Sequence, residues 1–237
     1  MPSELAPAEG VSSNCNGAHT LNVGYCGTVA SHKGPHVILD ALRIARLKSV
    51  NVLLIGHAPE RDYTRKLRDL AATVPGVNLK LYGKYERSEL PFLLRGVDCV
   101  IMPSLVPEAG PIVPREALAC GVPVLAAKLG ALPEVIAEGE NGFTFDPSTP
   151  QDLATILRRI ASDSSVLTRL RVGARSSRSF TLAQHAEQVC AVYDRALQDF
   201  EKNSFSSQGA SELHALHESL VRLGCDSSRI ENHPKGG

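Results

Sequence analysis

From Leu21 onward, short apolar runs ending at glycine or proline alternate with stretches whose apolar residues recur every three or four positions. The first pattern predicts buried strands and the second amphipathic helices. Strands are expected at 21–27, 51–56, 77–83, 99–102, 123–127 and 142–145. Helices are expected at 34–47, 61–72, 87–94 and 111–120, with a short one over 132–137. In the first of these, Val37, Ile38, Ala41, Leu42 and Ala45 share one face; the charged run 61–68, interrupted by acids, reads as a solvated helix face. Strands and helices alternating at this pitch imply βαβ units, and so a mainly parallel sheet covered on both faces. The fold class is α/β, a doubly wound parallel sheet forming a single Rossmann-like domain.

After Phe145 the strands stop. Residues 152–161, 165–177 and 182–201 read as C-terminal helices, the last with Leu182, Ala186, Val189, Tyr193, Leu197 and Phe200 at helical spacing. The expected organisation is a linker-like N-terminus over 1–20, one domain over 21–201, and a polar tail over 202–237 with one helix near 211–223.

Composition narrows the function classes. Lys plus Arg and Asp plus Glu are equal, at 25 each, so no overall field attracts nucleic acid or an anionic membrane. No apolar run is long enough to span a bilayer, and the N-terminus lacks the basic and apolar regions of a secretory signal. Peripheral membrane contact stays open. The six cysteines are widely spaced without a Cys-x-x-Cys pair. Cys26, Cys99 and Cys120 lie in apolar surroundings and are expected to be reduced core thiols, which makes a cytoplasmic location the default.

In an open parallel sheet, ligands bind beyond the carboxyl ends of the strands, so the loops there carry the chemistry. The first such loop is Gly27-Thr28-Val29-Ala30-Ser31-His32-Lys33-Gly34. Glycine lets the backbone pass close to a ligand, and Lys33 at a helix entrance suits a phosphate. The spacing is neither Walker A nor G-x-G-x-x-G, and alone the loop reads equally well as a surface turn. The second runs from Pro103 through Glu108, Gly110, Pro111, Ile112 and Val113 to Glu116. Pro111 is expected at the first helical position, leaving the Ile112 and Val113 amides free to receive a diphosphate, while Pro114 removes one donor. Glu116 could accept from a ribose diol and Glu108 from sugar hydroxyls; alone, they are two acids flanking a helix start. The third loop, Lys128 to Glu134, reads as a turn and a cap. His214 and His217 share a helix face in the tail, without the further ligands a metal site needs.

Order changes the weight of these pieces. From Val23 to about Arg171 the chain resembles the C-terminal, nucleotide-sugar-binding domain of family-four retaining glycosyltransferases, of the two-domain GT-B architecture. The resemblance rests on "GTVASHKGPHVILDAL", "VLLIG", "LKLYG", "DCVIMPS", then "EAGPIVPRE" running into "ALACGVPVLA", and finally "GALPEVI" and "EGENGFTF". It covers about 150 of 237 residues.

The resemblance implies a donor site. Lys33 is assigned to the donor diphosphate, Glu116 to the nucleotide ribose and Glu108 to the hydroxyls of the transferred sugar, with Lys33 and Glu108 as the catalytic candidates. The backbone of Gly110, Pro111, Ile112 and Val113 is assigned to the distal phosphate, Gly27 and Thr28 to the first loop of the site, and Tyr85 to the base. Many members carry arginine where this chain has Thr28, which removes a bidentate cation from the phosphates.

The implied reaction transfers a hexose from a UDP-, GDP- or ADP-sugar, with charge on the departing phosphate stabilised by Lys33 and the helix amides. No metal or cofactor is implied beyond the donor substrate. A separate acceptor-binding domain or subunit is expected. The alternative is a sugar-nucleotide-binding module without transfer activity, or a regulatory subunit; an oxidoreductase lacks its dinucleotide fingerprint.

Overall fold

The apolar runs become six parallel strands, interleaved with helices that cover both sheet faces. The computed structural model describes residues 20–177, 182–203 and Glu218. The chain divides into two units, Met1–Ser179 and Phe180–Gly237. In chain order the first holds β1 (Leu21–Cys26), α1 (Pro35–Ala45), β2 (Val50–Ile55), α2 (Arg61–Ala72), β3 (Val77–Gly83), α3 (Leu90–Leu93), β4 (Cys99–Met102), α4 (Ile112–Ala119), β5 (Val124–Ala127), β6 (Gly142–Phe145), α5 (Pro150–Ser162) and α6 (Ser164–Ser176). The second holds α7 (Leu182–Asn203), which takes in the predicted apolar spacing from Leu182 to Phe200.

The sheet order is β3-β2-β1-β4-β5-β6, and every neighbouring pair is parallel. The doubly wound expectation therefore holds. β1 lies inside the sheet and is buried along nearly its whole length; β4 and β5 are likewise apolar throughout, as strands covered on both faces must be. On α1 the predicted stripe of Val37, Ile38, Ala41, Leu42 and Ala45 is buried, with Leu39 added. The charges of α2 face water, and only Thr64, Leu67 and Ala71 are buried.

Several ends differ from the periodicity. The first helix stops at Ala45 because Arg46 turns left-handed, φ 53°. The last carbonyls of α1 are met from α5, where Arg158 donates to Ile44 O (2.7 Å) and Ala45 O (3.4 Å). The helix expected over 87–94 divides into a 3-10 turn, Arg87–Glu89, and the four-residue α3, with Pro91 removing an amide that a continuous helix would use. The segment expected as a helix over 132–137 forms only the 3-10 turn Pro133–Val135, since Ile136 is already extended.

Cys26 and Cys99 are buried core thiols, whereas Cys120 is exposed. The expectation for Cys120 is corrected: α4 ends at Ala119, so this residue caps the helix instead of lying within it. Burial pushes the Cys26 thiol up to about 12, and the Cys99 thiol is raised by the same cause. Cys15, Cys225, the 1–19 segment, the 211–223 helix except Glu218, and His214 and His217 lie outside the described residues. Among the described residues no helix is long and apolar enough to cross a membrane.

Candidate functional site

The strand order fixes where loops converge. β1 leads to β2 and β3 on one side, while β4 leads to β5 and β6 on the other. At the β1–β4 seam the connections depart in opposite directions and leave a crevice at the carboxyl ends, the switch point of an open α/β sheet. The two loops singled out in the sequence meet there. Leu105 N donates to His32 O at 3.0 Å. Gly34, the residue before α1, has φ 71°, and a Cβ on it would lie 2.2 Å from Pro103 O. Only glycine lets the two loops approach this closely.

Lys33 and Glu108 meet across the crevice, with Nζ 2.7 Å from Oε1. Their side chains are 29% and 21% exposed, so the pair is shielded but open to a ligand. The buried Ser104 hydroxyl lies 2.9 Å from the same Glu108 oxygen and 2.9 Å from Val106 O. Burial acts to raise the Glu108 carboxyl, but hydrogen bonds from Lys33 and Ser104, with the charges of Lys33 and His32, outweigh it and hold the carboxyl below the usual glutamate range. The Glu108 backbone is fixed by the loop after β5: Ala131 N donates to Glu108 O at 2.7 Å. Gly130, at φ 57°, lies so close that a Cβ would be 2.5 Å from both Glu108 N and O. The third loop, read in the sequence as a turn and cap, is thus a buttress for Glu108.

Beyond Glu108 the chain enters α4. Pro111 is the N-cap, with φ −71° and ψ 108°, and Ile112 is the first helical residue. The expectation of Pro111 at the first helical position is corrected by one residue. Ile112 and Val113 therefore supply the first two amides, which have no partner within the helix, and Pro114 at the third position supplies none. A Cβ on Gly110 would meet nothing within 4 Å, so its backbone borders open space. Gly27, at φ 142°, begins the first loop, and the adjoining Thr28 is exposed. The Tyr25 hydroxyl donates to Thr28 O at 2.6 Å and ties this loop to β1.

Glu116, on the second turn of α4, is 18% exposed and receives Arg87 Nε at 2.6 Å. The half-buried Tyr85 lies near it: burial first, then the charges of Cys26 and Glu116, raise its phenol. The predicted residues are therefore gathered around one crevice. Arg87, Ser104 and the Gly130–Ala131 buttress carry no role in the sequence reading. Ser104 was within reach, since it stands in the same loop as Glu108; Arg87 had no signal beyond a helix start.

Another concavity, lined by Glu138, Phe143, Thr144, Asp152, Ile156 and Arg159 among others, contains none of these side chains. Its Glu138 already accepts from Thr144 N and Oγ1 at 2.9 and 3.0 Å. Among the described residues no group of three or more His, Cys, Asp or Glu is arranged to hold a metal ion.

Comparison with known proteins adds an independent line. The profile of Glycosyl transferases group 1 matches residues 20–177. The D-inositol 3-phosphate glycosyltransferase of Corynebacterium glutamicum (strain R) is 32% identical over 190 residues, covering 76% of this chain and 44% of the relative. The chain thus spans less than half of that relative's length. Among solved structures, Anabaena HepE in complex with UDP superposes with a TM-score of 0.66 and 29% identity, over 74% of this chain and 49% of HepE. HepE has also been solved with UDP-glucose. The C-terminal domain of a group 1 family glycosyl transferase (LpcC) from Francisella tularensis superposes at 0.58 with 25% identity, over 66% of this chain and 83% of that domain.

Proposed function

The chain belongs to the glycosyl transferases group 1 family, with the fold of a GT-B C-terminal domain, and from that premise we propose that it holds the nucleoside-diphosphate sugar for a retaining hexosyl transfer. The acceptor is held by a second domain or subunit. The donor domain itself spans 21–201. The observation that carries this reading is the meeting of Lys33 and Glu108 at the β1–β4 seam, 2.7 Å apart. A donor has a diphosphate beside a polyhydroxylated ring, and this seam offers a cation beside a carboxylate.

In the proposed complex the diphosphate lies along Lys33 and the Ile112 and Val113 amides, at the positive end of α4. Glu108 accepts from hydroxyls of the sugar, Glu116 from the ribose diol, and Tyr85 borders the base. The bond between the anomeric carbon and the phosphate oxygen breaks, and its electron pair leaves with the phosphate. Lys33 and the amides meet charge that is larger in the transition state than in the bound donor, and so favour the transition state. The acceptor oxygen bonds to the anomeric carbon on the face the diphosphate leaves, and the acceptor proton passes to the departing phosphate. No glycosidase-like acid and base pair is assigned to Glu108 and Glu116, because both are assigned to hold the donor.

The similarity to HepE makes a UDP-hexose the first candidate, with GDP- and ADP-sugars as the competitors. Calorimetry of the full chain with UDP-glucose, GDP-mannose and ADP-glucose tests the reading. Binding of one of them is expected, and Glu116→Ala should weaken it by roughly 10- to 100-fold, the loss of hydrogen bonds to a charged acceptor. Should none bind, the donor-domain reading is wrong; should the Ala variant bind as well as the parent, the role of Glu116 is wrong.

A further inference from the structure

The two carboxylates of the crevice are paired in the same way. Glu108 carries Lys33, and Glu116 carries Arg87. The second pair is lopsided: the Glu116 side chain is 18% exposed and that of Arg87 81%. Arg87 reaches Glu116 from the loop after β3, whose form is set by its own contacts. Glu86 and Glu89 make a reciprocal capping box around the Arg87–Glu89 turn, with Glu89 Oε2 accepting from Glu86 N at 2.7 Å. The backbone that presents Arg87 is therefore held without Glu116, and among the described residues the ion-pair partner of the guanidinium is Glu116. An ion pair with one partner so exposed is weak and readily exchanged.

We propose that Arg87 is a donor-responsive cation, paired with Glu116 in the free chain and handed to the nucleotide diphosphate when the ribose hydroxyls take the carboxylate. The inference rests on the donor-binding reading of this site and adds a residue to it. The exchange is balanced in charge and in hydrogen bonds. The arriving ribose diol has donors for the Glu116 oxygens, and the diphosphate has negative charge for the displaced guanidinium. In a nucleotide the ribose ring and its first phosphate are joined through one methylene, so the carboxylate and the phosphate lie within the sweep of one arginine side chain. Guanidinium suits the second position as well as the first, since its forked donors match phosphate oxygens as they match a carboxylate. Arg87 thereby balances the charge of Glu116 before binding and contributes to phosphate affinity after it.

The measurement compares a nucleoside with its diphosphate. Wild type, Arg87→Ala and Arg87→Lys, each as the full chain, are titrated with uridine and with UDP, following amide shifts by NMR. If the sugar-nucleotide panel selects another base, the matching nucleoside and diphosphate replace them. Arg87→Ala should weaken UDP about five- to tenfold, the worth of a partly exposed charged contact, and leave uridine unweakened. Arg87→Lys should restore most of the UDP preference. Equal weakening of uridine and UDP would make Arg87 a fixed prop for Glu116 and overturn the hand-over. Unchanged or tighter UDP binding in Arg87→Ala would overturn it as well. Absence of any nucleoside-diphosphate binding by the wild type would instead remove the donor reading itself, and this proposal with it.

Discussion

At the scale of single residues, the crevice is a set of charges that satisfy one another until a ligand arrives. Glu108 shows the consequence in its titration. Its folded carboxyl is held below the usual range, with burial opposing and Lys33 and Ser104 prevailing. A carboxylate depressed on folding contributes stability above its unfolded value, about 4.3, and loses it as pH falls through the lower folded value. Urea denaturation at a series of pH values should show Glu108→Gln less stable than the parent by about 1–2 kcal/mol near neutrality. The gap should narrow below about pH 4.3 and close in stronger acid. A gap that does not change with pH would mean the Lys33–Glu108 pair adds no charge-dependent stability. Lys33, Glu108 and Glu116 were legible in the sequence because they stand in loops whose order is distinctive. Arg87 was not, because its contact with Glu116 is made between the loop after β3 and helix α4, and no local spacing encodes that meeting.

At the scale of elements, two glycines do what no other residue would allow. Gly34 brings the loop after β1 against Pro103, and Gly130 brings the loop after β5 against Glu108. Both have φ well into the left-handed region, and in both cases the nearest obstructing atom is backbone. Gly34→Ala and Gly130→Ala should each cost about 2–3 kcal/mol in chemical denaturation, combining conformational strain with displaced backbone. Gly110→Ala is the control: its Cβ would meet no protein atom within 4 Å, so stability should stay within about 0.5 kcal/mol. Donor binding should nonetheless fall, if the diphosphate lies against that backbone. The strands and long helices were legible from periodicity alone. The 3-10 turns were not, since Pro91 and Pro133 break helical hydrogen bonding within segments whose apolar spacing still reads as helix.

At the scale of the whole sheet, one buried carboxylate links the two halves that flank the crevice. Asp98, 3% exposed, accepts from Asn22 N at 2.8 Å and from Arg171 Nη2 at 2.6 Å. It ties the entry of β1 to the entry of β4 and both to α6. Asp98→Ala leaves the Asn22 amide and the Arg171 guanidinium without this acceptor and should cost about 2–3 kcal/mol, read from the urea midpoint. A loss below about 0.5 kcal/mol would show the link to be dispensable. The strand order has a further consequence for how the molecule is made. β1 is the first strand of this sheet to be synthesised, yet one of its sides is completed only by β4. For the few seconds that translation needs to reach Cys99, at roughly 5–20 residues per second, a nascent β1–β2–β3 sheet presents the unpaired edge of β1 to solvent. Fragments ending between β3 and β4 should therefore aggregate more readily than fragments that extend through β6, in which both inner edges of the seam strands are paired.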